Sequence, residues 1–150
     1  MGQDKDRQGF TSEQLHEIIR GKKHGIDVSI YANPQYTDFQ MREIRLGLEA
    51  GIDVSVYAST AFNHLQMSEI RIGMMGGLDV SFYARCDMAW EQMTMVRRGL
   101  RRGLDVSGYA HPSMPVSRME EEFLKLWREN DNRRARSPTL RYRYRDDEER

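Results

Sequence analysis

The sequence predicts an all-α protein, a right-handed α-solenoid of four tandem 26-residue units closed by a C-terminal capping helix. Two observations predict this fold. The tripeptide Asp-Val-Ser recurs every 26 residues, and a tyrosine and two glycines keep the same phase in every copy. Apolar residues within each unit recur at spacings of three and four, which places them on one face of a helix. One unit alone cannot bury that face, so we expect the units to stack.

Each unit begins with the signature of a helix start. Thr11 and Thr37 stand three residues before a glutamine, and Asn63 does the same in the third unit. This spacing is typical of a capping box, in which two side chains satisfy backbone N–H groups of the first turn. The fourth unit departs from it, with Ala89 at the cap position. The pattern predicts a helix of ~13 residues, ~20 Å long.

A glycine then ends each long helix. Because a left-handed residue is the usual helix stop, we expect positive φ angles at these glycines. They are Gly25, Gly51, Gly77 and Gly103. The aspartate that follows is a good N-cap, so Val28 to Ala32 and their equivalents are predicted to form a second helix of about one to two turns.

The organisation along the chain follows from where the pattern starts and stops. Residues 1–9 form a polar arm, and residues 10–114 hold the four units, at about 10–35, 36–61, 62–87 and 88–113. Residues 115–130 form the capping helix, because Phe123, Leu126 and Trp127 share a face but no glycine turn follows. Residues 131–150 are expected to be a charged, flexible tail.

Composition narrows the class of protein. The 23 basic residues balance the 23 acidic ones, which disfavours a uniformly basic nucleic-acid binder. The chain has one cysteine, no apolar run near the ~18 residues of a membrane helix, and no apolar stretch typical of a signal peptide. We therefore expect a cytoplasmic protein without a membrane partner.

The repeat resembles a known module. The string from Gln66 to Arg71 with Gly73, followed by Gly77 to Ala84, resembles the tandem "QMxEIRxGLxxGLDVSxYA" helical repeat of gut Firmicutes and their mobile elements. The resemblance covers roughly residues 10–125. It implies a repeat module from a bacterium, plasmid or phage and carries no catalytic residue with it.

The repeated Asp, Ser and Tyr side chains point to packing and not to catalysis. An active site needs one convergent set of residues, whereas packing needs the same residue in every unit. The four histidines occupy unrelated phases of the repeat, and they and Cys86 lack metal-ligand spacing. We therefore expect no enzyme activity, no metal and no cofactor.

A row of arginines lies close to the apolar stripe of the helices: Arg45, Arg71 and Arg97. A partly buried arginine needs an acceptor. Asp53, Asp79 or Asp105, or carbonyls of a neighbouring unit, are the predicted acceptors. The alternative is a row of receptors for phosphate or carboxylate groups along one surface.

Positions that differ between units are where a solenoid distinguishes its ligand, because packing does not dictate them. Arginines and one tryptophan, in the fourth unit and just before it, set this part of the chain apart from the other units. The predicted partner-binding residues are Arg85, Trp90, Arg98, Arg101 and Arg102. Phe39 also stands at a helix start, where an exposed aromatic suits a protein-contact anchor. The first hypothesis is a scaffold that binds a protein, as an inhibitor or adaptor encoded by a phage or plasmid.

The alternative hypothesis is a nucleic-acid-binding accessory protein. It rests on the basic fourth unit and on arginines that follow the capping helix, which alternate with tyrosines near the end of the chain. Cations beside aromatics suit phosphates and bases. The residues concerned are Arg133, Arg134, Arg136, Arg141, Arg143 and Arg145.

Overall fold

The computed structural model describes residues 5–136, and within that range the chain is all-helical, as the sequence predicts. The α-helices are α1 (Ser12–Lys23), α2 (Asp38–Glu49), α3 (His64–Met75), α4 (Trp90–Arg101) and α5 (Val116–Arg136). Single turns of 3-10 helix follow the first four, at Val28–Ile30, Val54–Val56, Val80–Phe82 and Val106–Gly108. Helices α1 to α4 each hold 12 residues and begin 26 residues apart, in step with the sequence repeat.

Successive α-helices pack side by side and run parallel. Each one contacts the next along the chain. At one end, the side chain of Gln14 in α1 donates to the carbonyl of Tyr36, just before α2 begins. At the other end, His24 at the end of α1 pairs with Glu49 at the end of α2. The N-termini of successive helices lie together, and so do their C-termini. Each connection must therefore return the chain from the C-terminal end of one helix to the N-terminal end of the next.

The predicted capping boxes form at the first three helices. Thr11, Thr37 and Asn63 each accept from the backbone N–H three residues later, and the glutamine returns the bond. At α4 half of the box remains, because Ala89 has no side-chain acceptor and only Gln92 Oε1 accepts from the Ala89 N–H. The four stop glycines have φ angles of 70–72°, as the left-handed stop requires.

The second helix of each unit has one turn, within the predicted one to two turns, but it ends two residues before the predicted boundary at Ala32. It is a single 3-10 turn of three residues, whose N-cap aspartate accepts from the backbone and hydroxyl of the serine two residues later. The turn ends because the following tyrosine leaves the helical path, with φ of −125° at Tyr31. That departure lets the tyrosine ring reach back to the preceding α-helix.

A buried tyrosine lies at the centre of every unit. Tyr31, Tyr57, Tyr83 and Tyr109 have no exposed surface. Each hydroxyl donates to a backbone carbonyl of the preceding α-helix at 2.7–2.9 Å, as Tyr31 does to Glu17. The tyrosine oxygen and a valine methyl occupy the space that a Cβ would need at the helical glycine of the unit, which is Gly21 in the first. The glycine therefore permits the close approach.

The N-terminal arm covers the open start of the stack. In later units, the carbonyl before the helix accepts a hydrogen bond from the glutamine of the preceding unit, as at Tyr36. In the first unit the backbone N–H of Asp6 donates to the carbonyl of Phe10 at 2.8 Å. The Asp6 carboxylate in turn accepts from the N–H groups of Gln8 and Phe10. The arm thus makes the bond that the glutamine of the preceding unit makes in the later units.

The capping helix is longer than predicted. Helix α5 continues past residue 130 to Arg136, so the expected flexible tail does not begin at residue 131. Its last turn contains Arg133, Arg134 and Arg136, and cations are favourable at a helix C-terminus. Residues 137–150 of the predicted tail lie outside the described residues.

Adding a methyl group at Gly73 should destabilise the fold. Its Cβ would overlap the Tyr83 hydroxyl and a methyl group of Val80. We expect Gly73→Ala to lower the free energy of unfolding by about 2–3 kcal/mol, measured by urea denaturation. Gly108→Ala is the matched control, because nothing lies within 4 Å of its Cβ. Equal stability of the two variants would contradict the tyrosine–glycine contact.

The buried tyrosines should make the fold sensitive to alkali. Burial raises the pKa of Tyr31 and of Tyr109 to about 12. An unfolded tyrosine ionises near pH 10. Between these values the unfolded state loses protons that the folded state keeps, so stability falls as pH rises. We expect the free energy of unfolding to fall between pH 10 and about 12.

A double variant separates the tyrosines' contribution to this loss of stability from that of other groups. Tyr31→Phe combined with Tyr109→Phe should weaken the pH dependence, measured as urea midpoints at several pH values. An identical slope in the variant and the original chain would assign the alkaline sensitivity to other groups.

Candidate partner-binding surfaces

The arginine row pairs with glutamates and not with the predicted aspartates. Nε of each arginine donates to Oε2 of the glutamate 28 residues earlier, in the preceding helix. The pairs are Arg45–Glu17 at 2.7 Å, Arg71–Glu43 at 2.7 Å and Arg97–Glu69 at 2.5 Å. The aspartates instead cap the 3-10 turns of their own units, where each carboxylate accepts a hydrogen bond from the backbone N–H of a serine. The row therefore joins neighbouring units.

At the last junction, between α4 and α5, two apolar residues take the place of the arginine and glutamate. Met95 stands where the other units have glutamate, and Phe123 stands where they have arginine. Both side chains belong to the buried core. An ionic pair is thus replaced on both sides at once by an apolar one, which avoids leaving a buried charge without its partner.

Two of the predicted partner-binding arginines lie against α5. The Arg98 guanidinium lies 4.9 Å from the centroid of the Phe123 ring. Arg102 lies 4.0 Å from the centroid of Trp127 and 5.9 Å from that of Phe123. Cation–π contacts of this kind are attractive. The geometry therefore gives both arginines a part in holding the capping helix to α4.

The other two arginines of the predicted set are exposed, as Arg98 and Arg102 also are. Arg85 pairs with Asp87 through two hydrogen bonds of 3.0 and 2.9 Å, and both side chains are exposed. Arg101 is exposed in the last turn of α4, and its side chain makes no ion pair or hydrogen bond to another residue between 5 and 136. Of the two, Arg101 is the one whose charge is available to a partner.

An exposed apolar row runs along the start of the helices. Trp90 opens α4 and keeps 37% of its surface exposed, while Phe39 in the first turn of α2 keeps 55%. Leu65 in α3 and Val116 in α5 are 41% and 38% exposed. The Phe39 ring stacks on His64 of the next helix, with centroids 5.0 Å apart. We call Phe39, Leu65, Trp90 and Val116 the apolar edge.

Sequence reasoning found Phe39 and Trp90 but missed Leu65 and Val116. The signal was present, because Leu65 occupies the same phase of the repeat as Phe39, and Val116 the same phase as Trp90. Neither residue stands out by type, so only its exposure beside the two aromatics identifies it.

The described arginines of the nucleic-acid hypothesis lie at the end of α5. Arg133 and Arg136 are exposed, and Arg134 is half-buried. Arg102 on the neighbouring helix contacts Trp127, so the basic last turn of α4 lies beside α5. Arg141, Arg143 and Arg145 lie outside the described residues.

Other kinds of site receive no support from the described part of the chain. No three His, Cys, Asp or Glu side chains among residues 5–136 are grouped to hold a metal ion. No helix in that range has the length and apolar character needed to cross a membrane. Comparison with models of protein families, with curated proteins and with solved structures finds no match to this chain.

The Arg71–Glu43 pair should stabilise the stack without depending on a ligand. Arg71→Met leaves a mostly buried glutamate without its partner. We expect the free energy of unfolding to fall by about 2–3 kcal/mol in urea denaturation.

The chain itself provides the rescue variant. Glu43→Met with Arg71→Phe copies the apolar pair of the last junction, so it should regain most of the lost stability. A double variant that is no more stable than Arg71→Met would show that the two positions are not coupled.

Proposed function

We propose that the protein is a non-enzymatic cytoplasmic scaffold, a right-handed α-solenoid of four 26-residue units that binds a protein partner. The observation that carries the proposal is the apolar edge. Four exposed apolar side chains stand at the starts of four consecutive packed helices. Single exposed apolar residues are ordinary, but a row across adjacent helices marks an interaction surface.

The recurring glutamines, tyrosines and arginines support this proposal by having internal partners. In every unit the glutamine bonds to the next unit and the tyrosine to the preceding helix, and in units two to four the arginine bonds to a glutamate. Recognition of this partner is therefore assigned to positions that differ between units. The apolar edge uses two such phases of the repeat, with Phe39 and Leu65 in one and Trp90 and Val116 in the other.

The chemistry of the edge suits a protein surface. Aromatic residues such as Phe39 and Trp90 are the usual anchors of protein interfaces, because they bury a large area with few rotatable bonds. Arg85 lies shortly before Trp90 in the chain and Arg101 at the far end of α4, so both are placed for a polar rim. In a phage or plasmid setting, as the repeat resemblance implies, the partner is a host protein that the scaffold occludes.

Removing the two aromatic anchors should abolish partner capture and leave the fold intact. Both side chains are partly buried, with 55% of Phe39 and 37% of Trp90 exposed, so Phe39→Ser with Trp90→Ser should lower the free energy of unfolding by about 2–3 kcal/mol, and circular dichroism checks that the variant is folded. Partner binding should weaken by about 30-fold or more. The measurement is quantitative mass spectrometry of proteins captured from a lysate of the source cell.

The control for this capture is Ile19→Ser, which removes an equally exposed apolar residue from α1. It should capture the same proteins as the original chain. If the double variant also captures them at full level, the apolar edge is not the binding surface.

The second candidate function is nucleic-acid binding. One observation favours it, namely that the basic last turn of α4 lies beside the helix that ends in three arginines. Binding of a DNA or RNA duplex should weaken steeply with salt, because phosphate contacts release counterions. It should also fall on deletion of residues 133–150, measured by fluorescence anisotropy. Binding that is indifferent to both changes would rule this function out.

A further inference from the structure

Two shallow apolar grooves lie between successive 3-10 turns, away from the apolar edge. The first has a volume of about 440 Å³ and the second of about 420 Å³. The apolar residues that line the first are Ile30, Leu48, Ile52, Val54 and Ala58. Those that line the second are Val56, Met74, Leu78, Val80 and Ala84. Each residue of the second list stands 26 positions after its counterpart, so the repeat produces the same groove at two junctions.

The third junction differs from the first two. Phe82 stands there in place of Ile30 and Val56, and Leu104 and Ala110 are buried where their counterparts are half-buried. We infer that the larger ring covers them. In the fourth unit the position is Gly108, which has no side chain to form a wall. The two grooves described lie within the first three units, which share no residue with the basic end of the chain.

A row of carboxylates borders the grooves. Asp53 lines the first and Asp79 the second, and Asp27 and Asp105 continue the row on either side. All four are exposed. Hydrogen bonds from the serine two residues later lower the pKa of Asp27, Asp53 and Asp105 below its usual value. None of the four forms an ion pair with a residue between 5 and 136.

The surface thus repeats two features together, an apolar groove and an exposed carboxylate. Each groove offers room for an apolar side chain, and each has an unneutralised carboxylate at its rim. A partner that fits must present one apolar group to each groove and one cation to the carboxylate at its rim. An acidic row alone would attract any cation, but the grooves restrict the partner to one with apolar side chains at the same spacing.

Grooves repeated on successive packed helices recur at about the interhelical spacing, which is about 8–10 Å in proteins. A polyproline II helix has three residues per turn and rises about 3.1 Å per residue, so every third side chain recurs on one face after about 9 Å. A β-strand would turn every third side chain to the opposite face. An extended segment in the polyproline II conformation therefore meets both grooves from one face.

We propose that this grooved surface binds an extended segment of another protein, with an apolar side chain at every third position and an arginine or lysine beside each. The surface is separate from the apolar edge, because Leu48 and Met74 lie near the ends of their helices and Phe39 lies near a start. The proposal is therefore independent of the function assigned to that edge.

The test uses the full chain and a synthetic probe, the labelled 12-residue peptide (Arg-Pro-Leu)4, with fluorescence anisotropy as the measurement. Asp53→Asn with Asp79→Asn removes two charges but keeps the caps, because asparagine caps helices as well as aspartate. We expect the probe to bind about 3- to 10-fold more weakly to this variant. Val56→Ser, at the wall of the second groove, should weaken it by about 10-fold. Phe39→Ser with Trp90→Ser should leave probe binding unchanged.

Three outcomes would overturn the proposal. The first is equal binding of (Arg-Pro-Leu)4 and (Arg-Pro-Ser)4, which would show a charged surface without working grooves. The second is a double asparagine variant that binds the probe as tightly as the original chain. The third is a gain of about 10-fold or more in affinity when residues 137–150 are removed, which would make the chain's own C-terminal segment the occupant.

Discussion

Each unit depends on one contact, in which a buried tyrosine ring lies against a glycine of the preceding α-helix and its hydroxyl donates to a carbonyl of that helix. The contact fixes where the 3-10 turn sits, and the turn fixes where the chain begins its return to the next helix start. A side chain at the glycine would separate ring and helix, so the hydrogen bond and the valine packing would be lost together. The rest of the architecture follows from repeating this contact four times.

Polar groups set the register between units. A glutamine serves the cap of its own helix and also donates to the carbonyl that precedes the next one, which ties each helix start to its neighbour. Further along the helix, the arginine–glutamate pairs make the same connection. Such groups are costly to bury without partners. Both ends therefore need substitutes, which are the Asp6 arm at the start and the Met95 and Phe123 pair at the last junction.

The residues that pack the units together are largely different from those that are available to a partner. The recurring glutamines and tyrosines and the arginine–glutamate pairs are satisfied inside the stack, whereas the apolar edge and the grooves lie toward opposite ends of the helices. The apolar edge at the starts varies from unit to unit, and the grooves near the ends repeat with an aspartate beside each. The basic fourth unit is partly drawn into packing, because Arg98 and Arg102 lie over the rings of α5. Both guanidinium groups remain exposed and charged, so these contacts orient them without removing their charge.

The sequence by itself determined the all-helical class, the 26-residue period, the helix starts and the glycine stops, because each depends on residues a few positions apart. Phe39 and Trp90 could also be singled out, since they differ from their counterparts in the other units. Tertiary structure decided which acceptor each arginine takes, because Glu17 and Arg45 are 28 residues apart and the nearer Asp53 was already committed to its serine. It also decided that the second helix is a single turn, that α5 reaches Arg136, and that Leu65 and Val116 join the exposed edge. Local spacing encodes caps and turns, but pairing and exposure depend on which faces the stack brings together.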